Sequence, residues 1–332
     1  MTSIVSWLTS AIIYGTVIMF GAQGEILTEK SGHLNLGVPG MMFLGGFAGF
    51  SAAFLYEKRA ADPAPILMVL IPLLAGFGAA ALGGLLYSFL TITLRANQNV
   101  TGLALTFFGV GVGSFGGLYV LLSAGYQSYA KAALTYGVFS KNLDRLFDSG
   151  WFGDIFLSHG FMTYFAIILA VFLHLFLKKT RVGLNLRAVG ENAATADAAG
   201  VNVTLYKYLA TTLGGGISGL GGVFYIIVYC NGGWSTNNSI EALGWLAVAL
   251  VIFATWRPVN TIWGSYLFAL LFWLYNYIPG IAKISFKNYE TDLVQLLPYA
   301  VTILVLVVIS FRKKKENQPP ASLGLSYFRE ER

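Results

Sequence analysis

Of the chain's 332 residues, 56% are hydrophobic and 11% are charged, the latter less than half the roughly 25% usual in a soluble domain. That balance excludes a soluble enzyme or binding module, whose core could not hide so much apolar surface, and most of the chain is expected to face lipid. The net charge of +6 is no nucleic-acid footprint, because the basic residues cluster at the ends of apolar runs, where they set orientation in a membrane.

Uncharged apolar runs give nine expected spans in chain order, roughly 4–23, 36–56, 66–94, 98–124, 159–177, 207–230, 239–256, 259–278 and 293–311. Each approaches the length of about 20 residues that a crossing helix needs. The expected fold is an all-α polytopic membrane protein of about nine transmembrane helices, with one membrane domain over 1–311 and a loose polar tail over 312–332. MTSIVSWLTS lacks a basic segment and an evident cleavage site, so it reads as the first span rather than a signal peptide. The second span opens in SGHLNLGVPG. That stretch predicts non-helical backbone, tolerable at membrane depth only where protein or water covers it.

Glycines four apart predict helices whose backbones touch: Gly45 with Gly49, Gly109 with Gly113 and Gly117, and Gly215 with Gly219. The outer loop 125–158 carries Leu143, Leu146 and Phe147 on one helical face, which predicts a short helix lying in the interface. GGGISGLGG at 214–222 looks like a phosphate loop but lacks the Lys-Ser/Thr ending and falls inside an apolar span, so packing is expected of it. The lone Cys230 leaves no intramolecular disulfide. Segments 4–50 and 239–278 share an order of span, polar turn and span, a faint internal echo of the kind transporters show. With the C-terminus inside, 14 of the 21 Lys and Arg fall on the cytoplasmic side, at Lys30, Arg95, 178–207, Arg257 and 312–332, and the N-terminus lies outside.

Between two of these spans lies the polar stretch NLRAVGENAATADAAGVNV, 185–203. Gly190 is expected to break the preceding turn and Asn192 to cap a new helix. Residues 193–199 are mostly strong helix formers, and Gly200 stands where a left-handed closing residue belongs. Glu191 and Asp197 lie toward the N-terminal half, where the helix dipole favours anions. A helix of about two turns is marginal in water. Two readings stand: a capped connector between spans, or a docking knob for a cytoplasmic ATPase, its small side chains letting a partner groove close around it.

LRAVGENAATADAAGVNVTLYKYLA resembles the cytoplasmic loop of permease subunits in ABC importers for branched-chain amino acids, ribose and nucleosides. GEILTEKSGHLNLGVPGMMFLGGF, NQNVTGLALTFFGVG and EALGWLAVALVIFATWRPVNTIWGSYLF resemble three further stretches of that family in the same order, and together the matches cover most of 20–278. The likeness is closest to the nucleoside and simple-sugar branch. Pro39 stands where that family usually has Glu, VIFATWRP departs from its pattern, and His33 is not typical.

The resemblance implies a type II ABC importer-like permease fold and a permease subunit of an ATP-driven importer for a nucleoside-like solute, with a simple sugar or riboflavin as alternatives. It implies a coupling helix at about 191–200, with Glu191, Asn192, Thr195, Ala196, Asp197 and Gly200 as the contact to the ATPase. It further implies no catalytic residue, metal or cofactor on this chain, with ATP and Mg on the separate ATPase subunit. The other implied partners are a second, homologous but different permease, a substrate-binding lipoprotein and membrane lipid, in a bacterial cytoplasmic membrane.

Polar groups within spans are costly toward lipid, so each reads either as cavity-lining or as an interhelical hydrogen bond. The candidates for a translocation path are Asn35, Gln98, Asn99, Thr101 and Asn276, with Glu241 opening the seventh span. Tyr225 and Trp245 are candidates to stack on a flat base or sugar face, although Trp245, like Trp151, Phe152, Trp234, Trp256 and Trp263, also fits an interfacial aromatic belt. His159 and His174 read as span-end or bundle residues. The expected span interiors carry no Asp, Glu, Lys or Arg, which disfavours a proton-coupled stand-alone transporter.

Overall fold

The computed structural model describes residues 2–141, 150–235, 239–282 and 318–328, with eight further positions between 293 and 307. Its helices in chain order are α1 (Thr2–Glu29), α2 (Val38–Arg59), α3 (Pro65–Ser88), α4 (Gln98–Ser123), α5 (Ala133–Phe139), α6 (Gly150–Phe156), α7 (Phe161–Lys179), α8 (Arg181–Glu191), α9 (Ala193–Ala198), α10 (Val203–Phe224), α11 (Ile240–Phe253) and α12 (Pro258–Ala282). Six of these are long and apolar enough to cross a membrane: α1, α2, α3, α4, α7 and α10, where α3 and α10 continue into π turns ending at Thr93 and Tyr229. Ile240–Phe253 and Pro258–Leu274 are shorter apolar helices. Eight of the nine expected spans are thus found as helices, and the chain is a helical, multi-pass membrane protein; the ninth, 293–311, lies largely outside the described residues. The expected interface helix on Leu143, Leu146 and Phe147 also falls outside them.

One boundary differs in a way that matters. Helix α1 runs to Glu29, six residues past the expected end of the first span, because Ile26 and Leu27 keep burying its face. Glu25 and Glu29 therefore lie inside the helix, 1% and 3% exposed, and Lys207 lies inside α10 at 2%. The expectation that helix interiors hold no ionisable group is corrected.

Helices α2 and α10 sit at the centre, buried over most of their length by the other helices. Helices α3, α4 and α7 bury one side and leave Leu74, Leu82, Phe107, Phe115, Ile168 and Phe172 exposed, the sides that meet lipid. Glycines set the central distances as expected. A Cβ on Gly45 would lie 2.4 Å from both the Cα and the carbonyl oxygen of Gly219, and one on Gly24 would lie 2.2 Å from the carbonyl of Gly214. Gly109 meets the backbone of Gly40, while Gly113 and Gly117 make room for the rings of Phe43 and Trp234. GGGISGLGG is a packing surface, with its glycines against α1, α2 and α3.

At the end of the helices away from α9, β1 (Tyr129–Lys131) pairs antiparallel with β2 (Gly233–Ser235) in the register Ala130↔Trp234. Trp234 is 1% exposed and packs on Phe43, Phe47 and Phe50. It is therefore a core residue, as is Trp256 at 7%, whereas Trp151, Phe152 and Trp263 are exposed as an aromatic belt requires.

Replacing Gly45 by Ala forces backbone against backbone and is expected to destabilise the fold by about 1–3 kcal/mol. Gly78→Ala, where a Cβ meets nothing within 4 Å, is expected to be neutral or stabilising by up to about 1 kcal/mol. Melting temperatures of the two variants in one detergent test the contrast.

Candidate functional site

The segment between α7 and α10 is built as two short helices, α8 and α9, that meet at Asn192. Thr180 caps α8, its hydroxyl accepting from the Gly183 amide at 3.0 Å. Gly190 does not break α8, as its residue type predicts; it lies within the last turn because the helix lies on the end of α1, where a Cβ at 190 would be 2.3 Å from the Lys30 carbonyl. The break is one step on, at Asn192, which is extended (φ −154°, ψ 99°) and closes α8 while opening α9. Its side-chain oxygen accepts from the Thr195 amide at 2.9 Å. The far end closes as a Schellman motif: Gly200 has φ +84°, the Val201 amide donates to Ala196 at 3.0 Å and the Gly200 amide to Asp197 at 2.9 Å.

Ala193 and Ala196 turn inward and pack with Val189 of α8 and Val203 of α10, with Val201, Tyr206 and Tyr327 around them. Of the residues expected to meet a partner, Ala196 is thus a seat within this chain. The outward surface is Glu191, Asn192, Ala194, Thr195, Ala198, Ala199 and Gly200. Glu191 and Asp197 also serve the chain's own tail, which is not loose over 318–328. The Tyr327 hydroxyl donates to Asp197 Oδ2 at 2.7 Å and the Ala321 amide to Glu191 Oε2 at 3.4 Å. The Ser322 amide donates to the Gly190 carbonyl at 3.0 Å and the Gly324 amide to that of Gly32 at 3.1 Å.

The path candidates fall into different places. Residues 31–37 between α1 and α2 are non-helical and mostly buried, and other helices supply their partners. The Leu34 amide donates to Gln98 Oε1 at 2.9 Å and its carbonyl accepts from the Tyr87 hydroxyl at 2.6 Å. The Asn35 amide donates to Glu25 Oε1 at 3.0 Å, Asn35 Oδ1 accepts from the Gly37 amide at 2.9 Å, and the Leu36 carbonyl accepts from Thr106 Oγ1 at 2.8 Å. Asn35 and Gln98 are therefore brought together as ties of this buried segment. Thr101 is buried on the same helix as Gln98, and Asn99 is exposed beside it. Tyr225 stacks on Tyr229 with centroids 5.1 Å apart and accepts from the Ser239 amide at 3.3 Å. Trp245 stands apart at 37% exposure. Glu241 is half-buried at the start of α11, and the Asn276 side chain lies outside the described residues. His159 Nε2 lies 2.9 Å from the Ile155 carbonyl.

Two features had little signal in the sequence. Thr255 and Trp256 both adopt left-handed backbone, φ 53° and 54°, at about 1–3 kcal/mol each. Asn260 steadies that turn through the Ala254 carbonyl at 3.1 Å, and the Trp256 indole donates to the Glu29 carboxylate. Beside it Lys30, His174, Lys178, Arg187 and Arg257 surround a cavity of about 300 Å³, so basic residues from four separate stretches gather on one face. The spacing of Glu25 and Glu29, one helical turn apart, was the available hint that α1 continues.

The family described as "Branched-chain amino acid transport system / permease component" matches residues 3–306. The chain is 31% identical over 301 residues to the nucleoside ABC transporter permease protein NupC of Lactococcus lactis subsp. cremoris, covering 90% of each. It is 32% identical over 270 residues to the putative glucose ABC transporter permease protein TsgC13 of Haloferax volcanii, 80% of this chain and 75% of that one. It is 29% identical over 300 residues to the guanosine ABC transporter permease protein NupQ of Bacillus subtilis, 90% and 89%. No solved structure matches the chain.

Burial, and then the charge of Lys207, hold the His33 imidazole down at about 3, against 6.5 when exposed. Between these values the unfolded chain binds the proton and the folded one does not, so stability rises with pH across about 3 to 6.5 and is full above it. On acidification from pH 7 to pH 4 the melting temperature of the natural protein is expected to drop relative to that of His33→Gln. Asn192→Ala removes the cap of α9 and is expected to cost about 1 kcal/mol, read as faster amide exchange over 193–199.

Proposed function

The chain belongs to the family of permease components of branched-chain amino acid transport systems, and on that premise we propose that it is the permease subunit of an ATP-driven ABC importer for a nucleoside-like solute, driven through α9. The observation that carries this reading is the construction of α9. Its outward surface is small side chains, and its inward side is joined through Val189, Ala193, Ala196 and Val203 to α8 and α10. A push on α9 therefore reaches α10, and α10 is in backbone contact with α1, α2 and α3. A bare connector has no need of a cap, a Schellman closure and a seat on the central helix.

In this reading a binding lipoprotein delivers solute from outside a bacterial cytoplasmic membrane. ATP and Mg act on a separate ATPase subunit, and its closure moves α9 so that the path switches from outward to inward access. The path forms against a second permease chain. The basic cluster around Lys30, Lys178, Arg187 and Arg257 supports a cytoplasmic placement of α8, α9 and the tail, with the N-terminus outside. The likeness to NupC and NupQ favours a nucleoside, and that to TsgC13 keeps a simple sugar as the second reading; riboflavin shares the flat ring system.

A stand-alone ion-coupled transporter would draw on Glu25 and Glu29, the carboxylates buried within α1. Both are already engaged, by the Asn35 amide and the Trp256 indole, which favours a structural role for them.

The test places bulk on the outward side of α9. Ala194→Arg is expected to lower ATP-dependent nucleoside uptake at least about tenfold, the loss of one well-packed contact at an interface, while membrane insertion and melting temperature stay unchanged. A purification in mild detergent is expected to retain a Walker-containing ATPase with the natural protein and to lose it with the variant. Undiminished uptake in Ala194→Arg would remove the docking role.

A further inference from the structure

A cavity of about 360 Å³ lies beneath α9, between the start of α10, the end of the π turn after α3 and the docked tail. Lys207 lines it while being only 2% exposed overall. Among the described residues no carboxylate pairs with it. Asp197, a carboxylate in the cavity wall, accepts from the Tyr327 hydroxyl and forms no ion pair with Lys207. His33 lines the same space, 2% exposed, and its Nδ1 has no hydrogen-bond partner. An ammonium held out of water without a counter-charge is costly, so its opening onto a polar cavity points to an anion.

Three further features converge on the same space. Arg95 lines it, held in left-handed backbone with φ 57° and with its guanidinium over the Phe328 ring at 4.7 Å. The first turn of α10, a helix of 22 residues, opens into it at Val203 and Thr204. Asn202 caps the Leu205 amide there at 3.0 Å, and the amides of Val203 and Thr204 precede the helix's own ladder, where an anion is favoured. Thr204 and Ser326 add hydroxyls. The volume lies within the range of about 300–1,000 Å³ typical of small-molecule sites.

We propose that this cavity binds a phosphate group, free or carried on a small molecule, through Lys207, Arg95 and the first turn of α10. Gly200–Asn202 and Ser326–Tyr327 form facing walls, so a bound phosphate ties the tail to the end of α9. That regulatory consequence rests on the coupling role proposed above, whereas binding itself does not.

The experiment uses the full chain, purified in mild detergent with the partners it retains. Its melting temperature is followed at constant ionic strength against inorganic phosphate, a nucleoside 5′-monophosphate, the parent nucleoside and chloride. A saturable rise is expected with the phosphate-bearing probes and none with nucleoside or chloride. A response to the monophosphate at lower concentration than to inorganic phosphate assigns a phosphorylated molecule; equal responses assign the free ion. Lys207→Met, which removes a buried charge, and Arg95→Gln, at an exposed position, are each expected to weaken the response about tenfold or more, the loss of one charge-assisted contact. No rise with either phosphate-bearing probe, or a response unchanged in both variants, overturns the site.

Discussion

The closeness of α10 to α1, α2 and α3 is the constraint from which the rest of the molecule follows. In a membrane the space between helices is not closed by expulsion of water, since lipid tails are as apolar as leucine; contact area and hydrogen bonds must do it. Here glycine lets backbone lie on backbone, as at Gly45 with Gly219 and Gly24 with Gly214. A methyl group at such a point has no flexible side chain to displace. Such contacts set the spacing of the four helices backbone to backbone. The short helix α9 is seated on the first turn of α10, at one end of that group.

The second constraint is the buried, non-helical stretch at 31–37. Backbone amides and carbonyls away from water need partners, and this stretch obtains them from Gln98, Tyr87, Glu25 and Thr106 on three other helices. Two of the polar residues that suggest a solute path in the sequence, Asn35 and Gln98, thus also hold a break between two spans. The left-handed pair Thr255–Trp256 belongs to the same network, because it brings the indole to Glu29. Strain in one turn and a carboxylate inside a helix make sense together and neither does alone.

Much of this was legible from residue order. Runs of uncharged residues located eight helices, because burial in lipid leaves so direct a mark on composition. The cap, length and closure of α9 were legible too, since Asn192 and Gly200 act locally. What a residue touches across the fold was not. Gly190 has a helix-breaker's character and lies within a helix, because the Lys30 carbonyl needs the space. Ala196 and Ala194 are the same residue type, and only the position of α10 decides which faces inward. Trp234 sits between polar residues in the sequence, yet a two-strand ribbon folds it under three phenylalanines.

Helices α3 and α10 also end alike, on opposite faces of the protein. Each finishes in a five-residue π turn, Phe89–Thr93 and Tyr225–Tyr229, followed by a left-handed residue, Arg95 or Asn231. The hydrogen bonds repeat step for step: Leu94 to Phe89 and Ala96 to Leu90 in one, Cys230 to Tyr225 and Gly232 to Ile226 in the other. A π turn is an α-helix carrying one residue more than its ladder needs. Removing that residue restores ordinary winding and swings whatever follows by about 100°. The two ends are thus the places where a single-residue gain or loss during evolution re-aims a loop while leaving the glycine contacts in register. In one direction that loop is the wall of the inner cavity, and in the other it is the strand that carries Trp234.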